Sequence, residues 1–316
     1  MAIYNAYDAI GQREDLTDVI YDISPTETPF MSSIGKTKAT AVYHEWQTDS
    51  LAAATTNNAA VEGADASDAT LSPTTRLGNY TQILQKTIKV SGTLDTVNKA
   101  GRKSEKAYQL AKASQELKRD LETILLSNQG RDTGSTNSSA RKMGSLLSWI
   151  KTNSSVQTNG GDPTTIGVSA RTDGNTRTFT ETLLKEVVAE VFTSGGSPKI
   201  LMVGALGKQK VSSFSGLAAT RYNIAGSAAP ATIVGAADVY VSDFGNMSVV
   251  PNRFMRTRDA LILDPEYAAL AYLRPFQTNE LAKAGDADKT QVLVEVTLEV
   301  KNEAAHGIVA DLNMAL

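Results

Sequence analysis

The chain lacks cysteine altogether, so among its 316 residues there is neither a disulfide bond nor a thiolate metal ligand. It also lacks long apolar runs, since stretches such as 200–203 are far shorter than the roughly 20 residues that cross a bilayer. No basic segment followed by an apolar core opens the sequence, which argues against a signal peptide. These absences predict a soluble, unexported protein.

An excess of basic charge is missing as well. The chain carries 31 Lys and Arg against 34 Asp and Glu, which gives a net charge of −3. Because dedicated nucleic-acid binders normally concentrate positive charge on one surface, this balance argues against that class. With 41% apolar residues, the length suffices for two domains or for one domain with large excursions.

Catalytic signatures are scarce. The only two histidines, His44 and His306, lie in no metal-binding or triad-like motif. Gly35-Lys36-Thr37 resembles the end of a phosphate-binding loop, but Phe30 stands where the first glycine is required. The turn Gly204–Lys208 lies between a predicted strand and a predicted helix, yet it is two residues short of the same motif. We therefore expect no enzyme activity and no cofactor.

A long amphipathic helix is the clearest element of the sequence. Between Arg102 and Asn128, apolar residues recur every three or four positions and neither Gly nor Pro interrupts them. At 1.5 Å per residue this helix would measure roughly 40 Å. It is predicted to be a half-buried strut that connects two β-rich regions.

The segment before this helix holds two excursions, of which the first is an arm. Pro25 and Pro29 predict an extended chain that ends at the apolar Phe30. An extended arm with apolar residues needs a surface to cover them. The sequence leaves open whether that surface belongs to a neighbouring chain or to the arm's own domain.

The second excursion is a long loop. Residues 40–48 alternate as a strand does, and a second β-rich run covers 80–90. Between them, residues 49–75 contain Glu62, Asp65 and Asp68 but no Lys or Arg. Because compact domains rarely contain loops of this length, we predict a two-stranded arm with an acidic tip that projects from the body.

The second half of the chain reads as a mixed α and β region. Thr178-x-x-Glu181 fits a helix capping box, followed by a core face that extends from Leu183 to Phe192. Near the end, residues 292–300 alternate strictly, which predicts one buried and one mostly polar face. The segment 308–312 is then predicted to pair back across a turn at His306-Gly307.

This order of elements resembles the major capsid proteins of tailed bacteriophages, the Hong Kong 97-type fold. The local sequences Asp22-Ile-Ser-Pro-Thr-Glu-Thr-Pro-Phe30 and 241–255 are similar to those of a capsid subfamily in short-tailed phages. The resemblance implies an α+β fold divided as follows: N-arm 1–38, E-loop 39–93, P-domain 94–177 with spine helix 102–128, A-domain 178–276 and P-domain return strands 277–316.

The same resemblance implies a structural function. Subunits would assemble through pentamers and hexamers into an icosahedral shell that encloses double-stranded DNA without binding it specifically, with loop 215–230 at the centre of each ring. Portal, scaffolding and decoration proteins are the implied partners, no cofactor or membrane is involved, and the protein would reside in the virion capsid after assembly in the host cytoplasm. Two alternatives stay open, namely an encapsulin-like nanocompartment shell and a hydrolase that uses the Gly204 region.

The apolar arm and the distribution of charge suggest which residues would touch a neighbouring subunit. The candidates are Pro25, Pro29 and Phe30 of the arm, Glu62, Asp65 and Asp68 of the loop, and Arg102, Lys103 and Lys106 at the start of the long helix. The acidic and basic groups could pair between subunits. Some members of this fold join subunits covalently through loop lysines. Since no lysine lies between Lys38 and Lys86, we predict a shell held without such bonds.

Overall fold

The computed structural model describes residues 26–63, 65–66, 68–97, 101, 103–135, 138–214, 238–283 and 285–314. The predictions for Pro25, Arg102 and loop 215–230 fall outside these residues. Six α-helices lie in the described part: α1 Pro29–Ser33, α2 Gly92–Thr96, α3 Glu105–Leu125, α4 Leu146–Trp149, α5 Glu181–Thr193 and α6 Ala205–Ser212.

Fourteen β-strands accompany these helices in the described residues. Seven come before the end of α6: β1 Gly35–Lys38, β2 Tyr43–Thr48, β3 Thr75–Tyr80, β4 Gln82–Ser91, β5 Ser154–Ser155, β6 Arg177–Thr178 and β7 Ile200–Val203. Seven follow: β8 Val239–Ser242, β9 Gly245–Pro251, β10 Ala260–Leu263, β11 Ala268–Leu281, β12 Ala287–Val300, β13 Gly307–Val309 and β14 Leu312–Asn313. Short 3-10 turns precede β11 and β13.

The predicted strut is helix α3, which is shorter than the predicted span of 102–128. Its 21 residues measure roughly 32 Å. Ser104 caps the start, because its hydroxyl accepts a hydrogen bond from the Ala107 N–H at 3.2 Å. Beyond the end of the helix, the Asn128 side chain exchanges two 2.8 Å hydrogen bonds with the backbone of Arg171, so the chain follows that contact instead of continuing the helix.

A four-stranded sheet covers the buried face of α3. Its order is β1-β11-β12-β4, with β1 parallel to β11 and the other pairs antiparallel. The alternating apolar residues of β12 are buried in one cluster with Leu117, Leu121 and Leu125 of α3. The predicted polar face of β12 is wrong at Glu295 and Thr297, which are also buried. At Glu295 the cover comes from arginine side chains that pair with it.

A six-stranded sheet forms the second part of the fold, in the order β5-β13-β10-β7-β9-β8. It shares a separate apolar cluster with α5, to which Leu184, Val187 and Val191 contribute. Two predictions for α5 are wrong. Its cap is Thr180 and not Thr178, because Thr178 pairs in β6, and Phe192 is 55% exposed because it lies beyond the face that contacts the sheet.

The last strands also differ from the prediction. β13 does not pair back on β12 but lies antiparallel to β10 and parallel to β5. His306, predicted to lie in a turn, is fully buried just before β13, where its Nδ1 accepts the backbone N–H of Asp264 at 3.4 Å. Strand β13 is thereby incorporated into the six-stranded sheet, whereas β14 pairs with β6 in a separate two-stranded sheet.

Candidate assembly surface

The base of the long loop is a two-stranded hairpin. β2 and β3 are antiparallel, with register pairs from Tyr43 and Tyr80 to Thr48 and Thr75. The predicted arm is therefore present, but its second strand is 75–80 and not 80–90. The run 80–90 contributes β4 instead, which pairs with β12 in the four-stranded sheet.

Aromatic contacts attach this hairpin to the body. The rings of Trp46 and Trp149 lie 5.2 Å apart, and Trp149 is fully buried beside α3. Across the hairpin, the Tyr43 and Tyr80 rings lie 4.6 Å apart, and the Arg131 guanidinium lies 5.3 Å from the Tyr43 ring. These contacts fix the direction in which the loop leaves the body.

Buried polar groups complete the attachment. The Asn79 amide donates to the carbonyls of Gly144 and Leu298 at 3.1 and 2.8 Å, and it accepts from the Gly144 N–H. Next to it, the Glu295 carboxylate accepts from the Thr81 hydroxyl at 2.9 Å and pairs with Arg141 and Arg274. Because buried polar groups are costly unless they are paired, these partners oppose any detachment of the hairpin.

The tip of the loop, unlike its base, is exposed to solvent. All described residues of 49–74 are exposed, including the large apolar side chains Leu51, Val61 and Leu71 at 98%, 78% and 89%. Glu62, Asp65 and Asp68 are exposed too, and with the described residues they form no ion pair. Apolar side chains this exposed on a long projection indicate a surface that contacts another molecule.

The end of the arm is held inside the body. Phe30 is 1% exposed in the same cluster as the apolar face of α3. The N–H groups of Phe30 and Met31 donate to the buried carboxylate of Glu122 at 2.7 and 2.9 Å, and the Asn252 amide donates to the same group at 2.7 Å. Phe30 therefore packs against its own domain, which corrects its assignment as a contact to a neighbour.

Glu122 joins three parts of the chain, namely the arm, α3 and the segment after β9. Burial raises its pKa above the usual range, although the hydrogen bonds from Met31, Phe30 and Asn252 act in the other direction. No cation pairs with this carboxylate among the described residues, and the three hydrogen bonds that it accepts stabilise it in the core. Nothing in the local sequence pattern singles out this glutamate.

The other predicted contact residues that the structure describes lie wholly or partly at the surface. Pro29 is half-buried at the start of α1, and Lys103 is exposed. The Lys106 ammonium lies 2.7 Å from the exposed Glu280 carboxylate, and this hydrogen bond raises the pKa of Lys106. The structure forms no ion pair between these lysines and the loop acids of the same chain within the described residues.

A second ion network, partly buried and partly exposed, joins the segment before α5 to the six-stranded sheet. The Arg258 guanidinium lies 2.7 Å from Asp311, and Arg256 lies 2.6 Å from Asp173. Burial raises the pKa of Asp259, next to this network, to about 6. The charges are matched within the chain, so this cluster is structural.

Lys208 and His306, which belong to the candidate enzyme features, have structural roles. The Lys208 ammonium donates to the Val249 carbonyl at 2.6 Å and pairs with Asp238, so it is not directed at an anion next to Gly204. Burial lowers the pKa of His306 to about 4. Among the described residues no group of three His, Asp or Glu could hold a metal ion, and no helix there is long and apolar enough to span a bilayer.

Comparisons with known proteins agree with this geometry. A family model described as SU10 major capsid protein matches residues 3–313. The major capsid protein of Escherichia phage Phieco32 is 30% identical over 97% of this chain and 96% of its own length.

Solved structures of low sequence identity show the fold. The capsid asymmetric unit of cyanophage A-1(L) is 10% identical, with a TM-score of 0.63 over 95% of this chain and 97% of its own. The SrpI encapsulin complex from Synechococcus elongatus PCC 7942 is also 10% identical, with a TM-score of 0.58 over 100% and 98%.

Proposed function

The chain belongs to the SU10 major capsid protein family, and from that premise we propose how it builds its shell. It is the major capsid protein of a tailed phage, a structural protein and not an enzyme, with a Hong Kong 97-like α+β fold. The subunit assembles through pentamers and hexamers into an icosahedral shell around double-stranded DNA. Many modest contacts, repeated by symmetry, add up to a durable container.

The loop tip is the observation that carries this proposal. A chain that exposes Leu51, Val61 and Leu71 on a projection anchored at its base has apolar side chains that only another molecule can cover. In a shell, that molecule is a second copy of the chain. Its acidic groups Glu62, Asp65 and Asp68 would meet positive charge on the neighbour, for which Arg102, Lys103 and Lys106 are the first candidates.

The proposed domains follow the family arrangement. The N-arm takes residues 1–38, the E-loop 39–93, and the P-domain the spine helix with the long β11 and β12 hairpin. The A-domain, expected at 178–276, is proposed to end at 267, because β11 begins at Ala268 and pairs with β12 in the four-stranded sheet. The separate apolar cluster under the six-stranded sheet supports this domain. Since β13 and β14 contribute to that same region, we assign 307–314 to the A-domain as well.

We also propose which other proteins join the shell. A portal, a scaffolding protein and a decoration protein would join the shell, which assembles in the host cytoplasm and becomes the virion capsid. Specific DNA binding is not needed, and the net charge of −3 supports a container that releases its genome. An encapsulin-like compartment is the second candidate, because the fold is shared, but the family match favours the phage capsid.

Electron microscopy of the purified full-length protein tests this proposal. Closed shells are expected from the unaltered chain. A variant with residues 50–73 replaced by a short Gly-Ser linker should stay folded by circular dichroism, because the described part of this loop packs on nothing, yet form no shells. Uniform monomers from the unaltered chain, or normal shells from the shortened one, would contradict it.

A further inference from the structure

The exposed side of helix α3 carries positive charge that the described part of the chain does not neutralise. Lys112 and Lys118 are exposed on this side, Arg119 is half-buried beside them, and Arg253 is exposed in the segment that follows β9. None of these four cations forms an ion pair with a described residue. We propose that they bind the phosphate backbone of the enclosed double-stranded DNA without reading its sequence. The inference rests on the proposed function and names the surface that faces the contents of the shell.

The acidic residues on the same stretch of α3 face other groups. The carboxylates of Glu116 and Asp120 lie 3.0 and 3.2 Å from the ammonium of Lys86 on β4. The carboxylate of Glu122 is buried, where it accepts hydrogen bonds from the arm's end and from the Asn252 amide. Among the described residues, these acids therefore leave the four cations available to an anion from outside the chain.

Arg119 is held in an orientation that suits phosphate. Its guanidinium carbon lies 5.7 Å from the centroid of the Phe254 ring, and its Nε atom is buried without a hydrogen-bond partner in the described part of the chain. The ring is itself fixed, because the Phe254 N–H donates at 2.9 Å to the Asn252 side chain, which in turn donates to Glu122. A planar guanidinium that stacks on a ring keeps its terminal N–H groups free to bind two phosphate oxygens.

The surface around these cations fits DNA better than it fits a protein segment. Neither α3 nor the segment 251–257 exposes a large apolar side chain, in contrast to the loop tip with Leu51, Val61 and Leu71. A docked protein segment normally brings apolar side chains that need an apolar surface, whereas a phosphate backbone brings repeated negative charge alone. Because the cations lie on one polar surface, a polyanion with evenly spaced charges is the occupant that the chemistry favours.

This surface also lies away from the loop. The alternating apolar residues of β12 share one cluster with the leucines of α3. Glu295 and Glu299 point to the other face of β12, where their carboxylates lie 2.9 and 3.1 Å from the side chains of Thr81 and His44 at the base of the loop. The base of the loop and α3 therefore lie on opposite faces of the four-stranded sheet. A shell wall whose loops contact neighbours on one face leaves the polar side of α3 for the contents.

DNA binding by the dissociated full-length subunit tests the proposal. The variant Lys112→Gln/Lys118→Gln/Arg253→Gln removes charge from side chains that are exposed and unpaired among the described residues, so it should fold normally by circular dichroism. Fluorescence anisotropy with a short labelled duplex gives the affinity over a range of salt concentrations. We expect the unaltered chain to bind weakly at low salt and the variant to bind roughly tenfold more weakly or worse. The slope of log affinity against log salt should fall by about 2 to 3.

The matched control is Lys89→Gln/Lys142→Gln/Lys301→Gln, which removes the same number of charges at exposed positions outside α3 and the segment after β9. Because both variants change the net charge equally, they differ only in where the charge is lost. The control should weaken DNA binding by less than about threefold. Equal losses in the two variants, or no binding by the unaltered chain at low salt, would overturn the DNA contact, while closed shells in electron microscopy would still support the capsid function.

Assembled shells show whether this surface faces the contents. Both variants should form closed shells at the yield of the unaltered chain. When assembly takes place with duplex DNA and the outside DNA is then digested with nuclease, shells of the α3 variant should retain roughly threefold less DNA than shells of the control, or less still. Equal retention would overturn the proposal. Loss of shells with unchanged DNA binding would instead assign the cations to a contact between subunits and would overturn it as well.

Discussion

Phe30, in the short helix α1 at the end of the arm, and Leu71, in the long loop, are both large apolar residues, but the chain itself buries only one of them. Phe30 lies in the core under α3, where Glu122 accepts its N–H, while Leu71 is 89% exposed. An excursion from the body can therefore either pack on its own subunit or be available to bind another one. It packs on its own subunit when that subunit supplies partners for its apolar and backbone groups.

The first test of this comparison concerns the buried face of α3, against which the end of the arm packs. Leu121→Asp places an unpaired charge in the core of α3 and should destabilise the subunit by about 5 kcal/mol or more. Soluble shells should disappear. Gln115→Asp, on the exposed side of the same helix, is the control and should assemble normally. Wild-type yield from Leu121→Asp would disprove the assignment of the buried face.

A pair of alanine substitutions compares the two excursions directly. Phe30→Ala removes a fully buried ring and should lower the free energy of unfolding of the dissociated subunit by roughly 4 kcal/mol. Leu71→Ala should change it by less than about 0.5 kcal/mol, because the side chain contacts only water there, but it should lower shell yield. Chemical denaturation measures the first effect and particle counts the second. Similar changes in the free energy of unfolding for both variants would contradict the distinction between the buried end of the arm and the exposed loop tip.

Acid should lower the stability of the body, because the body contains the buried His306. With its pKa lowered to about 4, this imidazole binds fewer protons folded than unfolded between pH 4 and 6.5. Its contribution to stability is therefore lost as pH falls through that window, by about 3 kcal/mol. The stability difference between the wild-type subunit and His306→Gln should shrink accordingly from pH 7 to pH 4.

The raised pKa values of Glu122 and of Asp259 act in the opposite sense, since those carboxyls bind more protons in the folded state. They affect both proteins equally, so the comparison with His306→Gln removes them. A difference that does not change with pH would mean that His306 is not buried in its neutral form.

The smallest expected effect concerns individual loop charges. Exposed pairs contribute only ~0 to 1 kcal/mol each and are screened by salt. Glu62→Lys/Asp65→Lys/Asp68→Lys should therefore leave the unfolding of the subunit unchanged and lower shell yield most at low salt. Arg102→Glu/Lys103→Glu/Lys106→Glu would rescue it partly if the spine start is the partner, whereas additive losses would reject that pairing.

A denaturing gel of the same shells tests the absence of covalent bonds. Between Lys38 and Lys86 the loop offers no amine, so we expect monomers only. A ladder of multimers would contradict a noncovalent shell.

Local patterns predicted the parts of the fold that depend on neighbouring residues. The spacing of Leu117, Leu121 and Leu125 predicted the buried face of α3, and the lack of any pattern in 49–75 predicted the exposed loop. What failed were choices among distant partners. The run 80–90 and strand β13 both had a plausible neighbour in sequence, but each pairs elsewhere.

The junction at Glu122 could not be predicted for the same reason. Its hydrogen bonds reach backbone groups 91 and 92 positions away and a side chain 130 positions away. The sequence presents it as one more acidic residue on a charged helix. Only the packing of α1 and the segment after β9 on α3 makes it a buried acceptor.

Hydrogen–deuterium exchange on dissociated subunits and on assembled shells tests most directly whether the arm's end belongs to the subunit and the loop tip to the assembly. The amides of Phe30 and Met31 should be protected in both forms, because Glu122 binds them within the chain. The amides of 49–74 should exchange rapidly in the subunit and become protected in the shell. Loop amides that stay unprotected in closed shells, or Phe30 and Met31 amides protected only there, would contradict the account.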